Sequence, residues 1–430
     1  METKKKQMVI VDGVRTPFCR MGTDLADMKA QELGRIAVNA LLTKTGYDPG
    51  KIDEVIFGCV AQPVDAANVS RVIALNSGIP KEVPASTVHR NCASGLEALF
   101  AAYEKMCAGR GDVFVVGGVE SMSNIPFLWN KSAVGKFTQL AKSRTLSQRL
   151  KTFLSFRSKD FSPVIGLRLG LTDPVSGLNM GETAENLSRD FDITREEQDA
   201  FAQASQQKAA AATEKFASEI CPVFLSGKNA KAVTQDNGVR ANSALEKLAQ
   251  LKPVFQKKHG TVTAGNASQV TDGAVALLVM SEEAAARFGY EPLGLLKDYH
   301  NAGCDPSRMG MGPVHAIHGL VEKSTLELEA VDIVEINEAF AVQVLAVMRG
   351  LESVDYCQKY LNKKEAVACI PMEKINVNGG SIALGHPVGA TGARLVLTSL
   401  YELKRRQAKT ALVSLCIGGG QGAAAWLESI

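Results

Sequence analysis

The 430-residue chain repeats one local plan in each of its halves, and few architectures accommodate that repetition. In the first half, Asp53-Glu54-Val55-Ile56-Phe57-Gly58 reads as a strand. His89-Arg90-Asn91-Cys92-Ala93-Ser94-Gly95 then turns into a helix-like run ending at Met106, and Asp112-Val113-Phe114-Val115-Val116-Gly117-Gly118 returns as a strand. In the second half, Val331-Asp332-Ile333-Val334-Glu335-Ile336-Asn337 leads to Gly385-His386-Pro387 and another helix-like run. Ala411-Leu412-Val413-Ser414-Leu415-Cys416 closes that unit. Further Val/Ile-rich runs at Met8–Val11 and Ala274–Met280 alternate with amphipathic helical stretches, so an α/β fold with a sheet covered by helices is expected. A duplicated fold brings the two turns face to face, one carrying a cysteine and the other a histidine.

The residue types on those turns point to acyl transfer through a thioester. Cys92 lies where a strand-like run meets a helix, and the positive end of a helix dipole favours a thiolate there. His386 is a base for such a thiol. Cys416-Ile417-Gly418-Gly419-Gly420-Gln421-Gly422 adds a second thiol and a glycine run whose backbone N–H groups are free to face an oxyanion. Five other histidines (His89, His259, His300, His315 and His318) compete with His386 on residue type alone.

Composition narrows the remaining classes. Two or three domains are expected at this length. A net charge of +3 gives no case for nucleic acid as a partner. The nine cysteines are scattered without a CxxC pair or a zinc-like Cys/His spacing, so neither a disulfide framework nor a metal site is expected, and a reducing compartment suits them. No GxGxxG or P-loop pattern supports NAD or nucleoside triphosphate use. The start, Met1-Glu2-Thr3-Lys4-Lys5-Lys6, lacks the apolar core of a signal peptide, and no apolar run approaches membrane-spanning length. A cytoplasmic location is the expectation.

The strand–helix rhythm breaks over residues 122–270. The division expected is therefore 1–121 for a first half with the nucleophile, 122–270 for an inserted loop domain, and 271–430 for a second half with the base and second cysteine. Within the insert, residues 128–172 carry Lys131, Lys136, Lys142, Arg144, Arg149, Lys151, Arg157, Lys159 and Arg168 against the single acid Asp160. Phe137, Leu140, Leu146, Leu150, Phe153 and Leu154 recur beside them at near-helical spacing. A basic amphipathic helix lies on an anionic membrane or docks a partner, and the plainer alternative is that its apolar face packs on its own domain.

Eight stretches in order resemble the thiolases, acyl-CoA:acetyl-CoA C-acyltransferases, over essentially the whole chain. They are Asp12–Phe18, Cys92–Gly95, Gly117–Met122, Met180–Asn186, Gly260–Ser268, Asn337–Phe340, Asn376–Gly392 with its Gly385-His386-Pro387, and Cys416–Gly420. The insert and the run Val233–Arg240 look most like the β subunit of fatty-acid-oxidation trifunctional complexes. Asn337 and Asn179 depart from some branches of the family.

The resemblance implies a five-layer αβαβα core, a homodimer or homotetramer, and an acyl-Cys92 intermediate. It implies that His386 accepts the Cys92 proton and that Cys416 is the second acid/base. Asn337 with His386 forms one oxyanion site, and the N–H groups of Cys92 and Gly418 form the other. CoA enters as a substrate, with no prosthetic cofactor. Its pantetheine arm runs past Ala264 and Ser268, its nucleotide lies near Met180, and Phe340 lines the pocket. A hydratase/dehydrogenase subunit is the partner this resemblance suggests.

The activity so implied is CoA-dependent cleavage of 3-oxoacyl-CoA in fatty acid β-oxidation. Its alternatives are acetoacetyl-CoA formation from two acetyl-CoA, a ketoacyl synthase of the same fold class, and a non-catalytic membrane or partner scaffold. Cys416 argues against the synthase, which needs no thiol there.

Overall fold

The computed structural model describes residues 6–227 and 230–430; the start from Met1 to Lys5 lies outside the described residues. Nine strands build the central sheet: β1 (Met8–Arg15), β2 (Glu54–Gly58), β3 (Ala85–Val88), β4 (Val113–Glu120), β5 (Thr271–Ser281), β6 (Gly294–Gly303), β7 (Ile333–Ile336), β8 (Thr410–Ile417) and β9 (Gln421–Glu428). Their order is β7-β8-β9-β6-β1-β5-β4-β2-β3, and the short Cys19–Arg20 segment pairs with β5 as a tenth. The helices used below are α1 (Ala30–Thr45), α2 (Ser94–Cys107), α3 (Lys131–Lys142), α4 (Leu146–Leu154), α5 (Met180–Asp190), α6 (Gly312–Lys323), α7 (Ala341–Glu352) and α8 (Val388–Arg406).

The internal repeat is present as two parallel crossovers. β2 runs parallel to β4, with Val55 opposite Val115, and α2 lies between them in sequence. β7 runs parallel to β8, with Val334 opposite Leu412, and α8 is the matching helix. The two half-sheets meet where β1 pairs antiparallel with β6, Met8 opposite Leu296.

Side-chain alternation along buried strands separates the cores into layers. In the first half, Phe114 and Val116 face the cluster around α2 and α8, while Val113 and Val115 face the one under α1. In the second half, Ala411, Val413 and Leu415 join that same central cluster. Leu412 and Cys416 face the outer cluster under α6 and α7. Outer helices, sheet, α2 with α8, sheet, outer helices: this is the five-layer αβαβα arrangement.

The middle layer depends on close helix contact. A Cβ placed on Gly95 of α2 would come within 2.7 Å of the Ala393 nitrogen, and one on Gly392 of α8 within 2.5 Å of the Leu96 nitrogen. Glycine at both positions lets the first turns of the two helices touch. The turns before them, Cys92 and His386, are thereby brought to one end of the layer.

One boundary differs from the sequence division. β5 begins at residue 271 yet lies between β1 and β4, with Ala276 opposite Val14 and Gly117. This strand completes the first half-sheet, so residues 271–281 belong with the first half and not the second. Hydrophobicity alone does not tell which sheet a buried strand joins.

The basic segment also differs from a single amphipathic helix. α3 and α4 are separate helices, and Thr145 caps α4 with its side chain. The apolar side chains divide: Phe137 packs within the insert against Trp129 and Phe156, at 5.5 and 5.0 Å between ring centres, while Leu146 is 84% exposed and Leu154 73%, and Leu150 and Phe153 are also exposed. Among the described residues no helix is long and apolar enough to cross a membrane.

Candidate active site

Cys92 sits at the entrance to α2 and is only partly covered, two residues before the helix begins. Asn91, just ahead of it, holds the left-handed conformation at φ 41°, which kinks the chain so that the cysteine leaves the strand direction. Its Nδ2 donates to the Gly418 carbonyl at 2.7 Å, tying the nucleophile turn to the glycine run across the site. Met180 covers the same glycine, with its Sδ 3.2 Å from where a Gly418 Cβ would stand.

The expectation of a helix-stabilised thiolate is not met. Burial pushes the Cys92 thiol above its ordinary value, and the N–H groups of Gly418 and of Cys92 itself pull it only partly back. Desolvation of a charged sulfur is the largest of these effects, and the helix itself starts two residues later. Those two N–H groups nevertheless converge on the sulfur, the pair expected to face an oxyanion.

His386 is buried at the start of α8. Its Nδ1 lies 2.6 Å from the Thr391 hydroxyl, which donates its proton to the Pro387 carbonyl at 3.1 Å. The hydroxyl therefore accepts from Nδ1–H, and the network leaves the lone pair on Nε2. Burial, with the nearby Arg394 cation in second place, lowers the imidazole to about 3, so it is neutral. Nε2 faces the Asn337 amide nitrogen at 3.5 Å.

Asn337 follows the end of β7 and is fully buried. Its Oδ1 accepts from the Ser381 hydroxyl at 2.6 Å. Cys416, near the end of β8, is fully buried and its thiol is held well above the ordinary range, first by burial and then by the neighbouring Cys92 and Cys304 sulfurs. Cys92, His386, Asn337, Gly418 and Cys416 thus gather at one place although the sequence separates Cys92 from Gly418 by most of the chain.

The expected CoA contacts are spread more widely. Ser268 donates its backbone N–H to the Ala339 carbonyl at 2.9 Å, and Gln269 accepts the His386 N–H at 3.1 Å, so this stretch runs along the site. Phe340 is buried and meets Phe255 edge-on at 6.2 Å between ring centres. Ala264 stands exposed at the surface. A cleft of about 490 Å³ opens beside Met180, between Ile165, Leu171, Asn179, Glu182 and Phe255. A wider groove of about 690 Å³ between Tyr103 and Lys323 lies elsewhere and contains none of these residues.

Three residues of this site escaped the sequence reading: Asn91, Ser381 and Thr391. Thr391 stands inside a quoted motif, five residues after His386, and Asn91 directly precedes the nucleophile, so position was the available signal. His89, the histidine nearest Cys92 in sequence, is exposed. Beneath both turns Glu120 accepts from Ala61 N at 2.8 Å, Gly389 N at 2.9 Å and Val60 N at 3.1 Å; burial raises its carboxyl to about 7.

Family models for the thiolase N-terminal domain and the thiolase C-terminal domain match residues 8–283 and 290–429. The chain belongs to the thiolase family. It is an acyltransferase by that membership, which removes the scaffold alternative.

Among its relatives, the 3-ketoacyl-CoA thiolase of Pseudoalteromonas translucida is 41% identical, covering 99% of this chain and 98% of the relative. The acetyl-CoA acetyltransferase of Syntrophomonas wolfei is 40% identical, covering 99% and 100%. The human mitochondrial 3-ketoacyl-CoA thiolase in complex with CoA superposes with a TM-score of 0.84 at 38% identity, covering 99% of this thiolase and 98% of that chain. The first family model runs through β5, in agreement with the sheet pairing that assigns this strand to the first half.

Proposed function

We propose that this thiolase cleaves 3-oxoacyl-CoA with free CoA, giving acetyl-CoA and a shortened acyl-CoA by way of an acyl-Cys92 thioester, as in β-oxidation. The observation that carries the reading is the convergence of Cys92, Gly418 and Cys416 with Asn337 and His386, whose Nε2 lies 3.5 Å from the Asn337 amide while Thr391 holds its Nδ1.

Cys92 attacks the 3-keto carbon as His386 takes its proton. The oxyanion forms against the N–H groups of Cys92 and Gly418. Collapse breaks the C2–C3 bond, leaving the acyl group on Cys92 and acetyl-CoA as an enolate whose oxygen faces Asn337 and His386. Cys416 gives the enolate its proton, and acetyl-CoA leaves. The thiol of incoming CoA then passes its proton to the Cys416 thiolate, attacks the acyl-Cys92 carbonyl and expels Cys92. The departing sulfur recovers the proton from His386. Charge and protons balance over the two half-reactions, and ping-pong kinetics follow. CoA is a substrate throughout. We seat the thioester along Ser268, Phe340 and Met180, a placement supported by the Ser268–Ala339 and Gln269–His386 backbone hydrogen bonds and by Met180 standing over Gly418.

Acetoacetyl-CoA formation uses the same steps in reverse, and the relatives carry both names. Measuring CoA-dependent cleavage across acetoacetyl-CoA and longer 3-oxoacyl-CoA separates them. A medium- or long-chain preference in kcat/KM is expected, and turnover confined to acetoacetyl-CoA would overturn the β-oxidation reading.

We assign the exposed face of α3 and α4 to an anionic membrane surface. Asp160 neutralises only Lys136, at 2.5 Å. Lys131, Lys142, Arg144, Arg149 and Lys151 remain exposed beside exposed Leu146, Leu150, Phe153 and Leu154. A hydratase/dehydrogenase subunit is the other occupant that this face suits. Self-association into a dimer or tetramer is supported by β3, an edge strand that pairs only with β2 among the described residues.

A further inference from the structure

We infer that Ser381 and Arg394 are positioning residues that set which way the Asn337 amide faces, and so make its NH₂ group available to the substrate oxygen. The inference rests on the thiolase reading of the site.

An asparagine side chain presents an acceptor on one side and donors on the other, and its two orientations have nearly the same shape. Only a neighbour of fixed polarity discriminates between them. A hydroxyl alone does not, because it both donates and accepts. Here the hydroxyl is itself polarised. Arg394 Nη2 lies 3.3 Å from Ser381 Oγ, and a guanidinium only donates. Ser381 therefore accepts from Arg394 and has its single proton left for Asn337 Oδ1, 2.6 Å away. The amide nitrogen is left on the opposite side, toward His386. In the flipped orientation Ser381 would accept from both Arg394 and Asn337, its own proton would lose its acceptor in a fully buried place, and the Asn337 carbonyl would face the Nε2 lone pair of His386.

The relay is anchored at its far end. Arg394 Nη1 donates to Glu335 Oε2 at 3.2 Å, and Glu335 stands on β7, two residues before Asn337. Arg394, Glu335, Ser381 and Asn337 are each at most 1% exposed, so water does not compete for these bonds. Arg394 lies two turns beyond His386 on α8, so one guanidinium serves both members of this oxyanion site. Its cation also adds to burial in keeping His386 neutral.

The test is a double-mutant cycle on purified protein with CoA-dependent cleavage as the readout. Asn337→Ala is expected to lower kcat about 100-fold. Ser381→Ala is expected to lower kcat about tenfold with KM for CoA within about twofold, and Ser381→Thr to restore it. In the Asn337→Ala background, Ser381→Ala should change kcat by less than about twofold. Ser381→Cys keeps the volume and donates weakly, and gives the same comparison if the alanine variant does not fold. Wild-type kcat in Ser381→Ala or Ser381→Cys would overturn the inference, as would the same fractional loss with and without Asn337. A wild-type protein that turned over neither acetoacetyl-CoA nor any longer 3-oxoacyl-CoA would sink the thiolase reading itself, and this inference with it.

Discussion

Asn91 and Gly418 are joined across the active site by a 2.7 Å hydrogen bond from the amide of one to the carbonyl of the other. The bond holds the Gly418–Gly419 peptide, the unit directly after the one whose Gly418 N–H is directed at the Cys92 sulfur. Asn91→Gly tests it cleanly, because glycine tolerates the φ of 41° while removing the amide. We expect kcat to fall by roughly 10- to 100-fold with only a small change in melting temperature. Unchanged kcat would show that Gly418 is held by its own loop.

Cys92→Ser should reduce CoA-dependent cleavage by more than about 10⁴-fold, since the hydroxyl's far higher pKa makes it a much poorer nucleophile and leaving group than the thiol at a weakly basic imidazole. Mass spectrometry of the wild type mixed with acetyl-CoA should place the acetyl group on Cys92. An acetyl group on Cys416 instead would reverse the assignment of roles.

Cys416→Ala should separate the half-reactions. Acyl transfer onto Cys92 from acetyl-CoA should persist, slowed by no more than about tenfold, while carbon–carbon bond cleavage and formation fall by about 10³-fold for want of a proton carrier. Equal losses in both would make the buried thiol a packing residue.

The pH dependence of Cys92 alkylation follows from its environment. The folded site raises the thiol above its ordinary value and holds His386 neutral down to about 3, so the reactive thiolate is a minor species at neutral pH. Alkylation by iodoacetamide should rise about tenfold per pH unit between about pH 6 and 8.5 without levelling. A plateau below about pH 7 would reveal a thiolate–imidazolium pair instead.

Lys142→Glu, Arg149→Glu and Lys151→Glu together should abolish low-salt retention by liposomes containing anionic lipid, given roughly 1 kcal/mol for each basic group near such a surface. Cleavage of a soluble short-chain substrate should be unaffected, because all three side chains are exposed on α3 and α4, outside the site. Lipid binding that survives the triple variant, or its absence in the wild type, would refute the membrane assignment. Co-purification of a partner lost in the same variant would point to a protein occupant.

The chain's own residues determined the α/β class, the duplicated turn-and-helix unit and the cysteine and histidine that belong on it. Those features are local: strand-like runs, a turn, a helix start and a glycine run each lie within a few adjacent residues. What the tertiary structure alone decided is relational. β5 joins the first half because of its pairing with β1 and β4, which hydrophobic patterning does not specify. The Cys92 thiol is pushed up by desolvation in the completed fold, which is a property of everything packed around the sulfur and not of the helix that follows it. The orientation of Asn337 is fixed by Ser381, 44 residues away, and by Arg394 behind it. A hydrogen-bond polarity of that kind exists only when the three side chains share one dry site, and no spacing in the sequence announces it.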